Sequence, residues 1–197
     1  VAIRRARRVL VPNRQMATDL MCRYPGRPIV HHPNWVDCER FAPGVYGLGQ
    51  TRIVLFVGRL VRQKGLDLLL DALGRSAKKG LTVELTVVGD GPLRSELEEL
   101  AHAQGIAQRV QWLGWVDLDR LPSIYRSHHV LAMPSRFEGM ASVMLQAMAC
   151  GCTVLTSDVF GAVDVIEDGC NGFIVPVEDT DALAQKIDEL KSETLDR

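Results

Sequence analysis

The strongest constraint in this 197-residue chain is an alternation of short apolar runs with longer amphipathic stretches. Ile53-Val54-Leu55-Phe56-Val57, Val83-Glu84-Leu85-Thr86-Val87-Val88, Val110-Gln111-Trp112-Leu113, Val130-Leu131-Ala132-Met133 and Thr153-Val154-Leu155-Thr156 read as strands. Most are apolar nearly throughout, as expected of strands covered on both faces of a parallel sheet. Helical patterns run over about 65–78, 92–104, 118–127, 139–150 and 180–192. Pro92 after Gly91 suits a first helical turn, with Glu96, Glu98 and Glu99 beyond it, and Gly151 stands where a left-handed cap would end the fourth helix. Parallel strands need crossovers, so the alternation implies right-handed βαβ units and a doubly wound α/β sheet. Ligands of such sheets bind outside the carboxyl ends of the strands. The strand-exit loops are therefore where chemistry is expected.

The first fifty residues follow a different rhythm. Val9-Leu10-Val11-Pro12 reads as a strand and Arg14–Tyr24 as a short helix capped by Asn13, followed by Pro25-Gly26-Arg27-Pro28, another apolar run and the loop Pro33-Asn34-Trp35-Val36-Asp37. Residues 42–51 read as a linker. This divides the chain into residues 1–50, carrying the first strand and helix elements, and residues 51–197, carrying the sheet. Lys and Arg total 23 against 24 acids, a balance that argues against a nucleic-acid partner. The balance is an average: residues 1–30 hold seven Arg and one Asp, while residues 164–197 hold ten acids and three bases. No apolar run approaches the ~18–20 residues of a membrane helix. The start, Val1-Ala2-Ile3-Arg4-Arg5, has neither an initiator Met nor a signal-peptide core. The five Cys are odd in number and form no C-x-x-C pair, so they read as buried or idle thiols of a reducing, cytoplasmic compartment.

Three strand exits carry candidate chemistry. After the first comes Gly58-Arg59-Leu60-Val61-Arg62-Gln63-Lys64-Gly65, where a Gly lets the backbone approach a ligand. Its cations, just ahead of a helix N-terminus, make an anion site from fixed charge and unpaired N–H groups; taken alone they also fit a solvated loop. The spacing is not that of a P-loop. After the second comes Gly89-Asp90-Gly91-Pro92, which begins like a dinucleotide fingerprint but lacks the third Gly and reads as a tight turn. After the fourth comes Pro134-Ser135-Arg136-Phe137-Glu138-Gly139-Met140, with Glu138 at a helix start and Gln146 eight residues on. On one helix these two lie about 12 Å apart along the axis and offset by roughly 80°, a spacing that suits two hydroxyl-rich groups separated by a diphosphate. Taken alone, Glu138 also fits a first-turn partner of the helix dipole.

Together, Gly58-Arg59-Leu60…Gln63-Lys64-Gly65, Val88-Gly89-Asp90-Gly91-Pro92, Leu113-Gly114, Pro134-Ser135…Glu138-Gly139, Ala147-Met148-Ala149-Cys150-Gly151 and Asp168-Gly169…Asn171-Gly172 resemble the C-terminal domain of family 4 retaining glycosyltransferases. Pro33-Asn34-Trp35-Val36-Asp37…Phe41-Ala42-Pro43 resembles that family's interdomain segment, with Trp35 where the family has Gly. The likeness spans about residues 30–190. It implies a Rossmann-like three-layer α/β/α parallel sheet, one half of a GT-B fold, binding a UDP- or GDP-sugar without a metal cofactor. By resemblance, Arg59 and Lys64, beside Gly58, would bind the donor diphosphate and offset charge on the leaving group. The backbone around Leu113 and Gly114 would lie against the base. Glu138, with the amides of Gly139 and Met140, would hold the donor sugar, and Val143 and Gln146 would complete the donor site. Gln146 departs from the family's ribose-binding Glu; it keeps one acceptor and adds donors. The resemblance makes residues 1–50 an interdomain segment and assigns the acceptor-side groups to an N-terminal domain of the same parent chain. The fragment alone would then bind nucleotide and transfer little. Many members use lipid-linked or membrane acceptors, which implies a place at the cytoplasmic membrane face.

Two other readings compete: a nucleotide-sugar epimerase on the same fold, which fits Gly58–Gly65 less well, and a non-catalytic interaction module degenerate at Gln146. Asp117-Leu118-Asp119 matches a metal-binding D-x-D but precedes a helix as a polar loop does. His31-His32 and His128-His129 are adjacent pairs without helical metal-site spacing. Arg4-Arg5-Ala6-Arg7-Arg8 suits anionic lipid less than a solvated face or domain joint.

Overall fold

A computed structural model describes residues 2–44 and 54–195. Ile53 and the linker reading beyond Gly44 lie outside the described residues. After a single-turn helix, α1 (Ala2–Arg5), β1 (Val9–Val11) and β2 (Ile29–His31) form a two-stranded parallel sheet, Val9 opposite Ile29 and Val11 opposite His31. The crossover between them is α2 (Arg14–Arg23). Asn13 is its N-cap, extended at φ −132°, with Oδ1 accepting from Met16 N at 2.8 Å. Val11, Ala17 and Ile29 form a small core, and Arg4, Arg5, Arg7 and Arg8 are exposed.

All five expected runs form strands, now β3 (Val54–Val57), β4 (Leu85–Val88), β5 (Val110–Gly114), β6 (Val130–Met133) and β7 (Thr153–Ser157). A sixth, β8 (Phe173–Val175), completes a wholly parallel sheet of order β5-β4-β3-β6-β7-β8. Side chains alternate between its faces. Val54, Phe56, Leu85, Val87, Val130 and Ala132 pack on one side with α3 (Leu66–Lys78), α4 (Arg94–Ala103) and α8 (Thr180–Leu195). Leu55, Val57, Val88, Leu131, Met133 and Val154 pack on the other with α5 (Leu121–Arg126), α6 (Ser142–Ala149) and α7 (Phe160–Val163). The fold is thus a Rossmann-like three-layer α/β/α sheet. Phe41 closes the second core against Tyr125, ring centroids 6.2 Å apart. The acidic C-terminal segment lies on the basic end of α3, where Arg75 pairs with Asp181 and Lys79 with Asp188.

Strand order reverses between β3 and β6, the switch point at whose carboxyl end ligands of such sheets bind. Several expectations are corrected. β8 and α7 were not anticipated: three and four residues are too few to show a period, and β8 is recruited by pairing Leu155–Ser157 with Phe173–Val175. Pro92 sits in a turn ahead of α4, which starts at Arg94. The fourth helix starts at Ser142, not Gly139, so Glu138 is a loop residue. The 12 Å axial spacing to Gln146 and the first-turn dipole role both lapse.

Candidate functional site

The two loops at this switch point are built against each other. Gly65, at φ 71°, leaves the turn Arg62–Lys64 in the left-handed region, and a Cβ there would run into the Pro134 carbonyl oxygen. Arg136 then ties the loops together. Its backbone N–H donates to Gln63 O at 2.8 Å, and its guanidinium donates to Arg62 O at 2.7 Å. It also forks onto Asp67, Nη1 to Oδ1 at 2.8 Å and Nη2 to Oδ2 at 2.7 Å, while Nε donates to Glu178 at 2.6 Å. Glu178 is the one non-glycine residue with positive φ among the described residues, at 62°. The bidentate bond to Asp67 raises the Arg136 pKa further above its ordinary value. Burial pushes the Asp67 carboxyl up, but hydrogen bonding and the charge of Arg136 outweigh it and hold the pKa below the ordinary value.

This clamp brings Lys64 to Glu138. The ammonium pairs with Oε1 of Glu138, whose side chain is 10% exposed, and Ser135 Oγ donates to the same oxygen at 3.4 Å. Arg59 is exposed on the β3 exit and pairs with no carboxylate among the described residues. Gly58 has space for the ligand approach assigned to it: a Cβ would make only ordinary contacts with Phe56 and the Lys64 stem, at 3.5 and 3.7 Å. Met140 is buried, and Val143 is half-buried against the second core. Gln146 Oε1 accepts from the hydroxyl of Tyr125 at 3.1 Å, and burial drives the pKa of that phenol upward. Leu113 and Gly114 stand at the exit of β5, two strands from β3, with Gly114 at φ 67° and its carbonyl accepting from Gly89 N at 2.7 Å. Lys64 and Glu138 meet directly, whereas Arg59 and the Leu113–Gly114 pair share only the carboxyl rim with them.

The backbone supplies the remaining groups. The Gly139 carbonyl accepts from Asn13 Nδ2 at 2.9 Å and the Met140 carbonyl from Asn34 Nδ2 at 2.8 Å. Gly139 O thus accepts from a side chain, and α6 starts only at Ser142. Ala141 caps α6 without a side-chain bond, and the N–H groups of Met140 and Ala141 meet no acceptor among the described residues. A short run of free amides with Lys64 and Arg59 at a sheet's switch point has the chemistry to receive an anionic, oxygen-rich ligand.

Sequence reasoning missed several residues here. Arg136 lay within the Pro134–Met140 string but had no role, and Asp67 and Glu178 carried no signal. Gly161 has no side chain because a Cβ would strike the Gly139 carbonyl and the Met140 backbone. Asp119 of the D-x-D string pairs with Arg40. Among the described residues no group of three or more His, Cys, Asp or Glu could hold a metal ion, and no helix is long and apolar enough to cross a membrane. None of the five Cys is in a disulfide, and burial raises the pKa of Cys152 to about 12.

The strand order defines a doubly wound α/β protein with a switch point between β3 and β6. Residues 43–197 match the family described as Glycosyl transferases group 1, and the chain belongs to that family. It is 33% identical over 145 residues to alpha-D-kanosaminyltransferase of Streptomyces kanamyceticus, covering 74% of this chain and 38% of that one. It is 32% identical over 182 residues to the GDP-mannose-dependent alpha-(1-6)-phosphatidylinositol monomannoside mannosyltransferase of Mycolicibacterium smegmatis, covering 84% and 48%. The chain thus spans less than half the length of these two relatives. Its fold matches S. aureus TarM in complex with fondaparinux, alpha-GlcNAc-glycerol and UDP, with TM-score 0.87 and 23% identity over 96% of this chain and 38% of that one.

Proposed function

We propose that this chain is the donor-binding, C-terminal half of a retaining glycosyltransferase of family 4, which moves a sugar from a UDP- or GDP-sugar to an acceptor hydroxyl. The observation that carries this reading is the Lys64–Glu138 pair where the β3 and β6 exits meet, with Arg59 exposed on the same carboxyl rim. While the amides of Gly139 and Met140 face the donor sugar, the donor diphosphate lies on Arg59 and Lys64, which supply fixed positive charge where the leaving group gains negative charge. Their supply of that charge makes a metal cofactor unnecessary in this reading. Glu138 holds the sugar's hydroxyls, and its pairing with Lys64 keeps both side chains oriented before the donor arrives. The bond from the anomeric carbon to the phosphate oxygen breaks with its electrons going to the diphosphate. The acceptor oxygen bonds to the same face of that carbon, and its proton passes to the leaving phosphate.

Gln146 contacts the ribose through its NH₂ group, since its oxygen is engaged by Tyr125. The base lies against Leu113 and Gly114. Acceptor-side groups sit on an N-terminal domain of the parent chain, so the fragment alone transfers little. Relatives support both nucleotides: one is GDP-mannose-dependent and a structural neighbour holds UDP. The phosphatidylinositol acceptor of the mannosyltransferase supports a lipid-linked acceptor and a place at the cytoplasmic membrane face.

Titration calorimetry with UDP, GDP and ADP tests the reading. Wild type binds UDP or GDP, and Arg59→Ala weakens binding about tenfold with an unchanged melting temperature. Lys64→Ala also weakens it, with some loss of stability because Glu138 is left buried without its partner. Gln146→Glu binds more tightly, a second carboxylate oxygen replacing the amide nitrogen opposite the ribose. No binding of any of the three nucleotides at millimolar concentration sinks the reading.

A further inference from the structure

Two side chains of opposite charge face each other at the β3 and β6 exits, and the backbone leaves them little choice. Arg136 N donates to Gln63 O at 2.8 Å, and Gln63 Nε2 donates back to Phe137 O at 2.9 Å. Lys64 and Glu138 are the next residues on either side of this exchange. Beyond Glu138, the Gly139 carbonyl accepts from Asn13 Nδ2 at 2.9 Å. Glu138 is thus held on both flanks, with its side chain 10% exposed, whereas that of Lys64 is the more open at 24%. Oε1 of Glu138 accepts from the Lys64 ammonium and from Ser135 Oγ, and its Oε2 accepts from no group among the described residues.

We infer that Glu138 is a specificity-determining residue of this site: it exchanges Lys64 for the donor's sugar, and so favours a diphosphate that carries a sugar over the bare nucleotide. This rests on reading the site as one for a nucleotide sugar. In the empty site the charge of Lys64 is engaged by Glu138. A diphosphate that recruits Lys64 removes the counter-ion from a carboxylate that burial keeps from water, which is costly unless other donors replace it. Ser135 Oγ, at 3.4 Å, is a weak donor, whereas sugar hydroxyls are good ones. A bare nucleotide brings none at this point, since its terminal phosphate offers acceptors and negative charge. The same contrast acts after transfer. The sugar has left with the acceptor, the diphosphate has gained negative charge, and Glu138 recovers Lys64. Release of the nucleotide is therefore assisted by the group that held the substrate.

The test compares UDP with UMP, and GDP with GMP, by titration calorimetry on wild type and Glu138→Gln, with a melting measurement on each. Gln keeps the shape and gives up the charge, so Lys64 is released for the phosphates. Glu138→Gln is expected to bind the diphosphate about tenfold more tightly than wild type, with the monophosphate nearly unchanged. In a Lys64→Ala background the same substitution gains less, because no cation is released. A pair that merely supported the fold would lower the melting temperature and leave the diphosphate bound no more tightly. Should Glu138→Gln fold poorly, Glu138→Ala removes the carboxylate outright and carries the same expectation. If wild type binds the diphosphates and neither variant binds them more tightly, the exchange is wrong and the nucleotide-sugar reading stands. An equal gain with and without Lys64 also overturns the exchange. If wild type binds neither UDP nor GDP, both fall.

Discussion

The loops leaving β3 and β4 are neighbours, and each opens on a glycine, yet they use it in opposite ways. At the β4 exit both glycines serve the protein itself. Gly89 sits at φ 126°, where a Cβ would run into the Gly58 carbonyl, and a Cβ on Gly91 would run into the backbone of Leu60. The two loops are laced by Gly58 N to Val88 O and Leu60 N to Asp90 O, each at 3.0 Å. At the β3 exit, Gly58 has no close neighbour that forbids a side chain. The opening glycine of one loop is a packing device, and that of the other leaves open surface at the strand exit.

The comparison can be broken in four ways. Gly89→Ala carries the largest effect, a loss of more than about 3 kcal/mol in urea unfolding, because both the dihedral and the close backbone oppose it. Stability within about 1 kcal/mol of wild type would show that the lacing is dispensable. Arg136→Ala comes next, costing about 2 kcal/mol by leaving Asp67 half-buried without its partner. It should also weaken nucleotide binding by loosening the Lys64–Glu138 approach; unchanged affinity would mean that the clamp serves stability alone.

A smaller effect is expected on acidification. The Asp67 carboxyl titrates below its ordinary value in the folded chain, so the unfolded state binds the proton first. The contribution of the clamp is present in full above about pH 4 and is lost as the pH falls through the lowered native pKa. Denaturant titrations from pH 5 to 2 should show this slope in wild type and less of it in Arg136→Ala; equal slopes would remove Asp67 as the source. The smallest expected change in stability is that of Gly58→Ala, within about 0.5 kcal/mol, with nucleotide affinity reduced several-fold because the added methyl group faces the ligand. A Gly58→Ala protein with full affinity would mean that this glycine is not at the ligand surface.

Much of the fold was legible in the sequence because its signals are local. A β-branched run buried on both faces, an Asn ahead of an amphipathic turn, or a Gly at a left-handed helix end each act within a few residues. β3 to β7, the cap at Asn13 and the helix after Gly65 follow from such signals. The cations of the β3 exit were legible too, and the family likeness named Lys64 and Glu138 as candidates, but their direct pairing came only with the fold. Glu138 itself was misplaced onto a helix, since the residues from Gly139 onward have ordinary helical patterning. Their carbonyls are instead taken by Asn13, 126 residues away, and by Asn34, 106 residues away.

The sequence by itself determined the alternating elements, the doubly wound class, the family likeness and the identity of the charged groups at the strand exits. Tertiary structure alone decided that Asn13 and Asn34 bond to the Gly139 and Met140 carbonyls, that Arg136 joins the two exits and pairs with Asp67 and Glu178, and which glycines are there for packing. The acidic C-terminal segment is another case: as composition it looked like an excess of charge, and in the fold it meets the cations at the end of α3. The physical reason is the range of the forces involved. Periodicity and capping act between residues that are close along the chain, whereas a tether, a clamp or a backbone contact exists only after the chain has closed loops of tens to more than a hundred residues.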